Sequence, residues 1–192
     1  MKNLKTTLLS LVAGSLFVVG AAQTAHAQPV ATVGAGGDPR GASTLTAWGI
    51  LGAWYGGLGI GGRYAMPLPI APVIQGSNVR DEFALEAGAD FFHFGYNYPG
   101  LGDYSWSEVV PVVGGAWRFW LNDKLALYPK LDLGYRIGWI SGWDESKYGS
   151  HPTYGGFFWD FAGGVLYRIN SGFTLRGEVG YAGLKLGVAW MF

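Results

Sequence analysis

Beyond residue 27, the side chains best suited to covalent chemistry are two histidines, His93 and His151. His151 directly follows Ser150, and a serine activated by a histidine is a common route to acyl transfer or hydrolysis. Neighbouring residues rarely form a working dyad, however, and His93 points outward by the alternation of its segment. Asp144 and Glu145 lie close to His151 in sequence, but a solvated loop accounts for them without a metal ion. The sequence therefore predicts no catalytic residue, no metal site and no cofactor, and the lack of cysteine excludes thiol chemistry.

A larger set of polar side chains recurs at every second position along otherwise apolar segments. Each segment then has one charged face and one apolar face, as strands do and helices do not. The near balance of signs favours a paired network inside a barrel, and a polar permeation route is the alternative. The predicted lumen network contains the bases Arg63, Arg118, Lys130, Arg136, Arg168, Arg176 and Lys185 and the acids Glu86, Asp90, Glu108, Asp132, Asp160 and Glu178.

The last twenty residues, Phe173 to Phe192, carry the clearest example of this alternation. Large apolar residues share one face, whereas Arg176, Glu178 and Lys185 share the other face with small residues. A narrow charged interior and an apolar exterior are typical of a transmembrane β-barrel. A slip of one residue would turn the charges to lipid, at roughly 2–4 kcal/mol for each Lys or Arg near the midplane.

The same alternation predicts an all-β chain that forms an antiparallel up-and-down barrel of eight strands, an even number as bacterial barrels require. Residues 44–68 could be either a hairpin or one long strand, because the alternation runs unbroken through the turn. The predicted strands are 44–52, 58–68, 83–94, 108–120, 125–139, 157–169, 173–181 and 185–192.

The connections differ in length between the two ends of the predicted barrel. Short turns at 121–124 and 170–172 indicate the periplasmic end, and long loops at 95–107 and 141–155 indicate the outer end. The connection 69–82 is long although it belongs to the short-turn end, and we expect it to cover the lower mouth. Four aromatic residues of the first long loop could contact sugars or a partner protein, or could join an aromatic girdle. These residues are Tyr96, Tyr98, Tyr104 and Trp106.

The N-terminus predicts export. A basic start, an apolar stretch and the small residues Ala25 and Ala27 are typical of a secretory signal peptide that is cleaved after Ala27. The domain boundaries are therefore a signal peptide at 1–27, a flexible lead at 28–42 and a barrel at 43–192.

Composition narrows the classes of partner. Hydrophobic residues make up 49% of the chain. Glycine accounts for 33 of 192 residues, and this glycine content fits tightly curved strands around a narrow bore. The 13 basic and 13 acidic residues give a formal net charge of +0. Without a basic stripe, nucleic acid is not expected as a partner.

The signal peptide, the alternating strands and the terminal Val188-Ala-Trp190-Met-Phe192 carry a family resemblance. The chain resembles the small eight-stranded outer-membrane barrels of Gram-negative bacteria, of the OmpA transmembrane-domain and OmpX type. That resemblance implies a monomer in the bacterial outer membrane, surrounded by lipid and lipopolysaccharide. It also implies that Val188, Trp190 and Phe192 form the signal that the barrel-assembly machinery reads.

The resulting functional hypothesis is a porin-like barrel that is not an enzyme, with a filled polar lumen and a structural or surface-interaction role. One alternative is OmpW-like binding and passage of small apolar molecules, with Phe92, Phe94 and Tyr128 lining a pocket in the upper lumen. The other alternative, which the resemblance suggests, is a lipid A-modifying enzyme that acts through His151.

Overall fold

The computed structural model describes residues 40–52, 57–74, 79–98, 102–142 and 154–192. Eight strands form a closed barrel in chain order, every strand is antiparallel to its neighbours, and the first strand pairs with the last. The strands are β1 (Thr44–Gly52), β2 (Leu58–Pro67), β3 (Arg80–Tyr98), β4 (Gly102–Trp120), β5 (Leu125–Ser141), β6 (Tyr154–Arg168), β7 (Phe173–Gly180) and β8 (Gly183–Met191). No helix in the described ranges has the length and apolarity needed to cross a membrane.

The predicted fold class and strand number are confirmed, and residues 44–68 are a hairpin. Its two strands pair from Thr44 with Ala65 to Leu51 with Leu58. The prediction of a loop at 95–107 is wrong for most of its length, because β3 and β4 continue to the pair of Tyr98 with Gly102. Pro99-Gly100 and the polar residues of this stretch favour a loop. Its tyrosines and tryptophan alternate with polar residues, however, and these residue types favour strands.

Each strand buries one face and exposes the other, as β5 shows. Leu131 and Leu133 are 46% and 42% exposed, whereas Lys130 and Asp132 between and beside them are 2% and 0% exposed. The burial alternates in the same way along β1, β7 and β8. Large apolar side chains therefore cover the outside, and charged side chains lie within.

Two apolar clusters flank the charged interior. We call the barrel end with the four-residue connections 121–124 and 169–172 the turn end, and the opposite end the loop end. The lower apolar cluster, at the turn end, contains Ala42, Ala116, Trp120, Ala126, Tyr128, Leu166 and Met191. The upper apolar cluster, towards the loop end, contains Trp48, Ile50, Phe92, Phe94, Val110, Val112 and Phe158.

One seam of the barrel is interrupted. Pairing between β4 and β5 lapses at two places, and each gap contains a proline, Pro111 or Pro129. Proline has no N–H to donate. On their other sides the two prolines are paired with Ala89 and Gly163. Both missing donors therefore belong to the β4–β5 seam, and the other seams between described strands have continuous registers.

Candidate functional site

The thirteen charged residues predicted for the lumen all lie on the inner face of the strands. Twelve of them are buried, and Arg136 is half-buried. Their burial follows from the strand period, because successive side chains of a strand point to opposite faces of the sheet. What the charges contact depends on how the strands are staggered around the barrel.

Arg176 on β7 is the centre of the lower half of this interior. Its guanidinium lies 2.6 Å from the carboxylate of Glu86 and 2.6 Å from that of Glu178. Arg176 Nε also donates to the hydroxyl oxygen of Tyr128 at 2.9 Å, and Nη1 to Thr46 Oγ1 at 3.3 Å. One cation thus contacts residues of β1, β3 and β5 as well as of its own strand, and two of these partners are carboxylates.

Asp90 is the centre of the upper half. Arg63 binds its carboxylate with two hydrogen bonds of 2.9 and 2.8 Å, the bidentate geometry that suits a guanidinium. Lys185 lies 3.3 Å from Asp90 and 3.1 Å from Asp160. Asp160 in turn accepts the backbone N–H of Ala182 at 2.9 Å, which ties the network to the β7–β8 turn.

Lys130 and Asp132 connect the two halves. Lys130 Nζ lies 3.1 Å from Glu178 and 3.0 Å from Asp132, and Asp132 is 3.5 Å from Arg63. Arg118 extends the network towards the turn end, 3.4 Å from both Glu86 and Glu82. The result is one connected set, the interior ion network: Arg63, Arg118, Lys130, Arg176, Lys185, Glu82, Glu86, Asp90, Asp132, Asp160 and Glu178.

The remaining three predicted lumen charges lie outside this set. Glu108 is near Arg136 towards the loop end, and the Arg136 guanidinium lies 5.2 Å from the ring centre of Phe158. Arg168 donates to the backbone carbonyl of Asn170 at 3.2 Å, at the turn end.

Sequence reasoning missed Trp48, whose ring occupies the middle of the ion network. Arg63, Lys130, Arg176 and Lys185 all lie 4.9–5.4 Å from its ring centre, and its Nε1 donates to Asp90 at 3.2 Å. Such cation–π contacts strengthen when water is excluded. The signal was present, because Trp48 alternates with exposed residues along β1.

The strands beside Trp48 leave room for its ring. A Cβ atom on Gly61 would lie 2.4 Å from Trp48 Nε1, and one on Gly187 would lie 2.6 Å from Trp48 Cβ. The nearest atom to a Cβ on Gly61 would be Asp90 Oδ1 at 2.1 Å, and the nearest to a Cβ on Gly187 would be the backbone oxygen of Ala47 at 2.2 Å. Glycine is therefore required on β2 by the buried pair of Trp48 and Asp90, and on β8 by the close approach of the β1 backbone.

Glu82 is a second residue that the sequence did not assign to the interior. It was placed in the connection 69–82, but β3 begins at Arg80 and the carboxylate of Glu82 is buried. Trp120 Nε1 donates to it at 3.1 Å and the backbone N–H of Gly41 at 2.9 Å.

The predicted surface contacts have different outcomes. The side chains of Tyr96, Tyr98 and Tyr104 lie outside the described residues, although their backbones belong to β3 and β4. Trp106 lies on β4, where it is half-buried and packs against the upper apolar cluster.

The structure describes the residues of the transport alternative but not His151, the residue of the enzymatic alternative. His93 is exposed on the outer face and lies 2.9 Å from Ser107 Oγ, while His151 and Ser150 lie outside the described residues. Phe92 and Phe94 stack in the upper apolar cluster, with ring centres 6.1 Å apart. Tyr128 lies in the lower cluster, where its hydroxyl donates to Glu178 at 2.8 Å. The expected pocket of all three aromatic residues does not form.

The predicted assembly signal lies on the outer face of β8 and just beyond it. Trp190 and Phe192 are 40% and 50% exposed, and Val188 is half-buried. Phe192 exchanges two backbone hydrogen bonds of 3.0 Å with Ser43, so the terminal residue extends the pairing that closes the barrel. Within the described ranges, no group of three His, Cys, Asp or Glu residues is placed to hold a metal ion.

No family model and no curated protein matches the sequence. Among solved structures, the barrel is similar to Ail, the attachment invasion locus protein of Yersinia pestis, solved in complex with the heparin analogue sucrose octasulfate. That match has a TM-score of 0.52 and 13% identity, and it covers 79% of this chain and 99% of that chain. A second structure of Ail matches with a TM-score of 0.50 and 14% identity over the same shares. At these identities the likeness establishes the fold alone, a closed eight-stranded antiparallel barrel.

Proposed function

We propose that this chain is an integral protein of the bacterial outer membrane whose filled lumen makes it a structural or surface-interaction protein, without enzymatic activity. The predicted signal peptide, the apolar outer face and the fold support that location. Lipid and lipopolysaccharide would then surround a monomeric barrel that the barrel-assembly machinery recognises through Val188, Trp190 and Phe192.

The observation that carries the filled lumen is the continuity of the interior ion network between two apolar clusters. Five bases and six acids form it, so their charges cancel to within one negative charge. A hydrated ion could pass only by separating buried pairs. Removing one partner of such a pair typically costs about 3–5 kcal/mol, so spontaneous opening is rare.

The proposed surface role rests on unequal strand lengths. Strands β3 to β6 have 19, 19, 17 and 15 residues, whereas the other four have 8 to 10. The longer strands extend one wall of the barrel towards the loop end. A wall that rises beyond its neighbours offers a surface for partners outside the membrane.

The chemistry of the loop end argues against transferring the ligand of Ail to this chain. Segment 95–107 contains one acid and no Lys or Arg, and segment 141–155 contains two acids and one Lys. A polyanion such as sucrose octasulfate needs a cluster of bases. We therefore expect a surface partner that is not a sulfated glycan.

Conductance in planar lipid bilayers tests the filled lumen. We expect no steady conductance from the folded protein, because the network and Trp48 fill the bore. Trp48→Ala should introduce a conducting state, whereas Trp190→Ala, which removes the same side chain from the outer face, should not. Steady conductance by the unmodified protein would refute the filled lumen.

The enzymatic alternative has a separate test. Identical lipid A mass spectra from cells with and without the protein would reject it.

A further inference from the structure

The connection between β2 and β3 has an unusual composition for the turn end. From residue 64 to residue 79 the sequence contains no Asp, Glu, Lys or Arg. The other two connections at this end are polar: 121–124 contains Asn122, Asp123 and Lys124, and 169–172 contains Asn170 and Ser171. A long uncharged connection suggests an environment other than bulk water.

Asp81 determines where this connection lies. It alternates with the inward Glu82 and pairs with Phe119, so its side chain leaves the outer face of β3. Asp81 is nevertheless only 1% exposed, because its carboxylate accepts the backbone N–H groups of Val73 at 3.0 Å and Ile74 at 3.1 Å. Trp117 Nε1 donates to the same carboxylate at 3.0 Å. The described part of the connection therefore lies against the outer wall, and the expectation that it covers the lower mouth is wrong for these residues.

The wall beside this segment is apolar and aromatic. The rings of Trp117 and Phe83 stack with centres 5.1 Å apart, and the ring centres of Trp117 and Phe119 are 4.6 Å apart. Leu68, Phe83, Trp117 and Leu131 are among the residues that line a groove of about 360 Å³. The segment is therefore continuous with the lipid-facing surface and with the aromatic belt that marks a membrane interface.

Four of the five backbone N–H groups in segment 68–74 have acceptors. The N–H of Leu68 donates to the carbonyl of Phe83 at 2.7 Å, and that of Ile70 donates to the carbonyl of Leu68 at 2.7 Å. Pro69 and Pro72 have no N–H, and the Asp81 carboxylate accepts those of Val73 and Ile74. Lipid cannot supply hydrogen bonds to a backbone, so the bonding of these N–H groups lowers the cost of contact with lipid.

The apolar side chains of the segment are exposed, although most of its backbone N–H groups are hydrogen-bonded. Ile70 is 51% exposed and Val73 is 61% exposed, next to the exposed Pro69 and Pro72. In water these apolar surfaces would have no partner. In the interface of a bilayer they would contact acyl chains.

We propose that residues 68–74 form an interfacial segment that inserts Ile70 and Val73 into the periplasmic leaflet, where phospholipid acyl chains contact them. The inference rests on the proposed location of the barrel in the outer membrane. It adds a lipid-binding surface beyond the barrel wall, and it identifies Asp81 as the residue that holds the segment against that wall.

Environment-sensitive labels test this proposal, and the lack of cysteine makes each label unique. The test variants are Ile70→Cys and Val73→Cys. Leu131→Cys on the lipid-facing wall and Asn122→Cys in the exposed turn are the matched controls. Each variant is labelled with a nitrobenzoxadiazole dye and folded into vesicles of phosphatidylethanolamine and phosphatidylglycerol. We expect the labels at Ile70 and Val73 to emit like the label at Leu131 and to be quenched several-fold by nitroxide lipids, unlike the label at Asn122.

The controls separate the possible failures. If the labels at Ile70 and Val73 resemble the label at Asn122 while the label at Leu131 is shielded, the interfacial segment is refuted and the barrel stays in its membrane. If the label at Leu131 is also in water, the proposed location fails. Shielding at Ile70 that disappears on diluting the protein in lipid would identify a second copy as the occupant and overturn the lipid contact. Adding Asp81→Ala to the Ile70→Cys variant should reduce the quenching, because Val73 and Ile74 lose their acceptor.

Discussion

Replacing Arg176 with methionine tests whether the interior ion network is dry. The substitution keeps a long flexible side chain but leaves Glu86 and Glu178 without the guanidinium that contacts both at 2.6 Å. Removal of one partner from a buried ion pair destabilises proteins by about 3–5 kcal/mol, because the other charge stays buried. We expect Arg176→Met to reduce the free energy of unfolding by about that amount.

An exposed ion pair in the same chain supplies the control. Arg80 lies 2.5 Å from Asp123, and the two side chains are 28% and 64% exposed. Exposed pairs contribute about 0–1 kcal/mol, so Arg80→Met should cost several-fold less than Arg176→Met. Both variants can be unfolded with urea in lipid vesicles and followed by tryptophan fluorescence, with heat-modifiable gel mobility as a second probe of folding.

A double variant separates a stranded charge from lost packing. Glu178→Gln removes one of the two carboxylates that lose the Arg176 guanidinium in Arg176→Met, so the two substitutions together should cost clearly less than the sum of the single costs. Equal costs for Arg176→Met and Arg80→Met would refute the reasoning. They would mean that water enters the bore and screens its charges.

Four other substitutions test the faces, the packing and the seam. Leu133→Arg, on the lipid-facing side, should cost about 2–4 kcal/mol and abolish heat-modifiable mobility, whereas Arg136→Gln, half-buried near the loop end, should leave that mobility intact. Gly164→Val should cost about 1–3 kcal/mol in urea unfolding, because a Cβ atom there would lie 2.2 Å from Tyr128 Cζ. Pro129→Val should slow hydrogen exchange in the β4–β5 seam and add about 0.5–1.5 kcal/mol, because it restores a backbone donor.

The direction of each side chain could be predicted from sequence, because a strand has a period of two and lipid penalises a wrong register. Lys130 and Asp132 are buried and Leu131 is exposed, as their alternation required. The fold class and the number of strands followed from the same rule, applied segment by segment.

The contacts within the bore could not be predicted, because they depend on the stagger of strands that are distant in sequence. Arg176 meets Glu86 across 90 residues, and no local pattern relates the two. The contacts of Trp48 could not be predicted for the same reason. Alternation shows which face of β1 it lies on but does not show the four cations around its ring. The interfacial segment escaped prediction because the outward direction of Asp81 is informative only once the start of β3 is known.

The proposed location in the outer membrane requires export across the inner membrane, and the ionic filling of the bore favours that step. A bore filled with apolar side chains would turn each strand into a continuous apolar run, and β5 with its 17 residues would approach the length of a spanning helix. Lys130, Asp132 and Arg136 prevent this, because each charge at the centre of a helix opposes membrane insertion by about 2.5–3.5 kcal/mol. Together they oppose insertion by about 8–10 kcal/mol on that scale. Charges that are neutralised only when the barrel closes therefore keep the unfolded strands out of the inner membrane and still fill the lumen of the folded protein.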